Sequence, residues 1–173
     1  ITIINASFGD KNRAIPNIKI HDVIYYEWQL RLSKSLTNLG YNTIAKRHPK
    51  GQSTNDYLFK DTVLTEKLSE NMSATNVYTD VYIFDIFGGA FIEALCTLKP
   101  IIFIEMPNRL LNKKTKDILK KSVRIIPARY NDNNLIEIDF NQLFDSINNS
   151  VNINERLRLV SDFITSRNYT KKY

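Results

Sequence analysis

The chain has 173 residues, 43% hydrophobic and 24% charged, which is enough for one domain with a real core and too apolar for a disordered chain. Its 24 Lys and Arg outnumber its 18 Asp and Glu, and the formal net charge of +6 suits anionic partners (nucleotides, anionic lipid head groups, nucleic acid) or simply a solvated surface. No stretch approaches the ~18 to 20 apolar residues of a membrane span, the first residues lack the order of a signal peptide, and a lone Cys96 excludes an internal disulfide and a cysteine-built zinc cluster.

Residues 1–7 (ITIINAS) read as a buried strand, and a chain that starts inside a strand is expected to be a piece of a longer protein. Residues 8–20 hold Gly9, Asp10 and Pro16 and read as a long loop. Asp22 is placed to cap a helix in which Ile24, Trp28, Leu32, Leu36 and Leu39 recur at three- and four-residue spacing, with Gly40 as the stop. Residues 41–47 read as a second strand ending at His48–Pro49. The signal then weakens, with a loop over 51–57 and a helix over 64–72.

Residues 77–85 lead into Gly88–Gly89 with a strand from Val81, followed by a short helix, a stop at Pro100 and a compact buried strand over 101–104. Cys96 falls on the apolar side of that helix and reads as an inert, buried thiol. Residues 112–122 (NKKTKDILKKS) form a basic helix and 123–127 a strand. Asp139 caps a helix with Phe140, Leu143, Phe144 and Ile147 on one face, and Asn154 caps another with Leu157, Val160 and Ile164 inward. Strands alternating with helices predict an α/β, Rossmann-like fold: a parallel sheet with helices on both faces. Ligands of such sheets lie outside the carboxyl ends of the strands. His48 and Gly88–Gly89, where polar or glycine residues directly follow a strand, both belong to that edge if the strands are parallel.

In residues 85–93 (DIFGGAFIE), Gly88 and Gly89 open the helix, where free backbone N–H groups and the positive dipole end favour a phosphate. Glu93, one turn on, is placed to meet ribose hydroxyls; alternatively the glycines only relieve a tight turn. The segment has neither the GxGxxG fingerprint nor a Walker A loop. In residues 46–51 (KRHPKG), Lys46, Arg47, His48 and Lys50 can each donate to an anion, and Pro49 fixes the direction of His48. His48 reads as a diphosphate contact or acid assistance at the leaving group, or as a surface histidine after a strand. The basic segment 109–124 reads as a solvated face or as a surface for anionic lipid or glycan. Without interleaved aromatics it offers no stacking platform, and nucleic acid is not an expected partner. No Ser–His–Asp order, HExxH or paired-cysteine pattern is present, and no metal site is expected.

The pattern D-x-x-x-G-x-x-x-E-A-L-x-x-x-K-P, carried by Asp85, Gly89, Glu93, Ala94, Leu95, Lys99 and Pro100, resembles the donor-site segment of GT-B glycosyltransferases. It is most similar to bacterial transferases that build capsules and other surface carbohydrates. The upstream Lys46, Arg47, His48 and Pro49 resemble the K-x-H-P of that group, of CDP-glycerol glycerophosphotransferases and of some bacterial sialyltransferases. In the last two families a serine or threonine pair stands where this chain has Gly88–Gly89.

The resemblance covers residues 1–126 and implies a single Rossmann-like nucleotide-sugar-binding domain over 1–173, the C-terminal half of a two-domain GT-B enzyme. It implies that Glu93 binds the ribose, that the Gly88 and Gly89 amides bind the phosphates, and that His48 with Lys46 or Lys50 faces the diphosphate. No cofactor is obligatory; the substrate is a nucleotide-activated sugar or a CDP- or CMP-linked donor. A glycan or lipid-linked acceptor is held by a missing N-terminal domain, without which the fragment is expected to be inactive. The location implied is cytoplasmic, with peripheral contact at the anionic inner face of the membrane. A glycerophosphate or sialic acid transferase, a UDP-sugar epimerase, and a non-catalytic nucleotide- or anion-binding scaffold are the competing readings.

Overall fold

A computed structural model describes residues 1–4, 20–46, 72–149 and 153–161. In chain order the elements are β1 (Thr2–Ile4), α1 (Asp22–Asn38), β2 (Ile44–Lys46), α2 (Met72–Tyr78), β3 (Tyr82–Phe84), α3 (Gly89–Leu95) and β4 (Ile101–Glu105). Then follow α4 (Lys113–Leu119), β5 (Arg124–Pro127), β6 (Arg129–Tyr130), β7 (Ile136–Glu137), α5 (Phe140–Asn148) and α6 (Ile153–Val160). The first five strands form one all-parallel sheet in the order β2-β1-β3-β4-β5, while β6 and β7 form a small antiparallel ribbon. This is an α/β, Rossmann-like fold.

The two-residue period of the strands divides the core. Ile3, Ile83, Ile102, Ile104 and Ile126 point to one face, where Tyr25, Trp28, Leu32 and Leu36 of α1 and Leu143 of α5 cover them. Ile4, Tyr82, Phe84, Ile101 and Phe103 point to the other, under Met72 of α2, Phe91, Ala94 and Leu95 of α3, and Leu119 of α4, with Leu159 and Val160 of α6 at the margin. Helices therefore cover both faces. The chain leaves β1 toward β2 under α1, and leaves β3 toward β4 under α3 on the opposite face. The winding reverses between β1 and β3, and the crevice at the carboxyl ends of those strands is where such sheets bind ligands.

Local signals explain most element ends. Gly40 adopts φ +82°, its N–H reaches Thr37 O at 2.9 Å, and Tyr41 N reaches Leu36 O at 3.2 Å, a Schellman stop on α1. Asp139 caps α5 through the amides of Asn141 and Gln142, and Asn112 caps α4 through Thr115 N.

Several expected placements are corrected. Asp22 is the first residue of α1, and the capping position belongs to His21, which makes no side-chain cap bond. Residues 77 and 78, on the approach to β3, are the last turn of α2; Val77 and Tyr78 face outward while Met72 and Thr75 face in. Cys96 is exposed, because α3 ends at Leu95 and Cys96 falls one turn past the outward-facing Ile92. Asn154 lies inside α6, and Leu157 is 47% exposed where an inward position was expected. Arg156 is the buried residue there: its guanidinium donates to the carbonyls of Thr97, Lys99 and Ser122, and three carbonyl acceptors outweigh a leucine's hydrophobicity in setting the helix rotation. The β6–β7 ribbon follows from Asn131, whose side chain accepts from Asn133 N and Leu135 N and turns the chain at Asn134, φ +57°. The expected loop over 8–20, except Ile20, and the expected helix over 64–71 lie outside the described residues.

Candidate functional site

Three strand ends build the candidate site on the carboxyl edge of the sheet. β2 ends in Lys46. Register pairs Lys46 with Ile4 of β1, and Ile4 with Phe84 of β3, so the three side chains share one level and one face. That face is the apolar one beneath α3. A lysine there is unusual, and Lys46 is only 6% exposed. Burial pushes its ammonium below the usual lysine range, and the Glu93 carboxylate on α3 pulls it part of the way back. The fold thus brings Lys46 and Glu93, 47 positions apart, into electrostatic reach across β1.

β3 ends at Phe84, and Asp85 follows it, buried. Its carboxylate accepts from the Tyr25 hydroxyl at 2.7 Å and from Gln29 Nε2, both on α1. Asp85 therefore anchors α1 to the strand end beside the winding reversal. Gly88 is the N-cap of α3, with extended backbone at φ −160°, and no side chain caps the helix. A Cβ built on Gly88 or Gly89 meets nothing within 4 Å. Neither packing nor backbone angle at Gly88 demands glycine there, and the first bonds of α3 run from Phe91 N and Ile92 N to Gly88 O, at 3.1 and 3.2 Å. Glu93 lies on the exposed side of the same helix.

β4 ends at Glu105, a buried carboxylate that accepts from Leu111 N at 3.1 Å and pairs with Lys116 Nζ on α4. Between them lies the turn 106–110. The side-chain amide nitrogen and oxygen of Asn108, and Nε and Nη1 of Arg109, are sealed from solvent without a hydrogen-bond partner. An unpartnered buried polar group costs about 1–3 kcal/mol. Four of them in two successive residues, at the edge where ligands bind, mark this turn out.

Of the residues singled out in the sequence, Lys46, Gly88, Gly89 and Glu93 occupy the same edge; Arg47, His48 and Lys50 lie outside the described residues. The basic segment 109–124 divides. Lys113, Lys114, Lys120, Lys121 and Arg124 are exposed, but Lys116 is committed to Glu105 and Arg109 is half-buried. Sequence reasoning passed over Asp85, Asn108 and Arg109 as contacts. The rule applied to His48 and Gly88, that polar residues directly after a buried strand belong to the ligand edge, also applies to Asn108–Arg109 after Met106–Pro107. Among the described residues no group of His, Cys, Asp and Glu is arranged to hold a metal ion, and no helix is long and apolar enough to cross a membrane. Comparison with protein-family models, curated proteins and solved structures finds no match to this chain.

Proposed function

We propose that this chain is the donor-nucleotide half of a GT-B-type glycosyltransferase that makes a bacterial surface polysaccharide. One observation carries the reading: a buried lysine at the carboxyl end of β2 lies within electrostatic reach of Glu93, the first helical acid after the uncapped glycine turn. A cation kept on an apolar face lowers stability, and groups held at such a cost concentrate at binding sites. Here Lys46 meets a donor phosphate, the Gly88 and Gly89 amides meet a second oxygen, and Glu93 accepts from the ribose hydroxyls. His48, two residues after Lys46 and in the same KRHPK run as Arg47 and Lys50, assists departure of the diphosphate. The sugar acceptor and its base come from a second domain of the full-length protein, so this chain binds donor without turnover.

The test is a melting-temperature panel across UDP, GDP, CMP, CDP and their sugars, on wild type and Glu93→Ala. One nucleotide is expected to raise Tm. Loss of charge-assisted bonds to the ribose, about 1.5–3 kcal/mol each, should weaken that nucleotide at least tenfold in the variant. A panel in which no nucleotide shifts Tm, or a shift unchanged by Glu93→Ala, overturns the reading.

A further inference from the structure

We propose that the turn after β4 is a further ligand contact: Arg109 receives a phosphate oxyanion of the bound molecule and Asn108 a neighbouring hydroxyl. The loop is already shaped. Arg109 N donates to Met106 O at 3.0 Å, and Leu111 N donates to Glu105 Oε1, so both flanks are held. What lacks partners is confined to side chains, and it is specific in kind. Arg109 offers buried cationic donors, and Glu105, the carboxylate four residues before it, is engaged by Lys116. A guanidinium in that state matches an oxyanion. Asn108 offers one donor group and one acceptor, which matches a hydroxyl, able to accept and donate at once. A phosphate ester of a polyol carries both. The location agrees, because β4 is hydrogen-bonded to β3 and their loops leave the sheet on the same edge.

This inference rests on the carboxyl-edge site proposed above but concerns phosphate, not nucleoside, and the two fail separately. The probe is inorganic pyrophosphate, titrated into wild type, Arg109→Met and Asn108→Leu, with Tm and calorimetric affinity as readouts. Arg109→Met is expected to leave the unliganded protein as stable or more stable, since it removes two sealed donors that lack partners. It should weaken pyrophosphate by about ten- to a hundredfold. Asn108→Leu should leave pyrophosphate affinity alone and weaken glycerol 3-phosphate relative to it. The Nε–Hε resonance of Arg109 in wild type should move on titration, a readout that needs no variant to fold.

Pyrophosphate affinity unchanged in Arg109→Met, an immobile Nε–Hε resonance, or a lower unliganded Tm with binding intact overturns the proposal; the last result would mean water alone satisfies these groups. If nucleotides bind but pyrophosphate binding ignores Arg109, only this inference falls. If pyrophosphate binds through Arg109 and no nucleoside adds affinity, the nucleotide reading falls and this one stands.

Discussion

Lys46 shows the conflict between folding and binding at one side chain. Its neighbours in register are Ile4 and, one strand further, Phe84, and burial disfavours its charge. A lysine whose native pKa lies below its unfolded value lowers stability fully at pH values beneath the native pKa, where both states are protonated. Stability then rises with pH from the native pKa to the unfolded value near 10.5, because only the unfolded chain still binds the proton. Lys46→Met removes the charge and keeps an unbranched chain of similar length. It is expected to raise Tm at pH 7, to flatten the rise in stability above neutral pH, and to abolish nucleotide-dependent stabilisation. Thermal melts across pH 7 to 10.5, with and without nucleotide, measure all three. A lower Tm with binding intact would make Lys46 structural.

At the scale of elements, α6 is held by a charge. Its one fully buried side chain among those described is Arg156, whose pKa burial lowers to about 10, still well above neutrality, so the guanidinium stays charged. It donates to Ser122 O at 2.7 Å, to Lys99 O, and at 3.4 Å to Thr97 O. Those carbonyls lie in the turns that feed β4 and β5, so α6 fastens two strand entries at the edge opposite the candidate site. Arg156→Met would strand the carbonyls that a charged donor now satisfies. The expected loss is about 2–4 kcal/mol, read from urea denaturation at neutral pH. Pyrophosphate and nucleotide affinity should not change below the melting transition.

For the whole molecule, the sheet separates two apolar layers. Trp28 is fully buried in the layer of α1 and α5, and Phe91 is fully buried in the layer of α3 and α4. Phe91 contacts Phe84 and Phe103 edge-on at centroid distances of 5.2 and 5.5 Å. Replacing either aromatic with Ala should cost about 3–5 kcal/mol. Because the sheet lies between them, the two losses should add to within about 0.5 kcal/mol. Their sum approaches the 5–15 kcal/mol of an ordinary domain, so the double variant should lose its cooperative urea transition. A double variant no less stable than the worse single one would show one continuous core.

The same layering separates what was legible in the sequence from what was not. The alternation of strands with helices, the α1 periodicity, the Gly40 stop, the Asp139 cap and the strand of Ile101–Glu105 all depend on residues within a turn or two of one another, so the sequence by itself determined them. The glycine turn and the positions of Lys46 and Glu93 at strand and helix ends were legible for the same reason. Tertiary structure alone decided that β1 lies between β2 and β3, which sets Lys46 near Glu93 and buries it. It decided that Cys96 faces out and Arg156 in, against their hydrophobicity, and that the Asn108 side-chain amide and Nε and Nη1 of Arg109 are sealed without partners. Periodicity and capping act over three to four residues along the chain. Burial and hydrogen-bond satisfaction are fixed by groups tens of residues away, and they exist only once the sheet has formed.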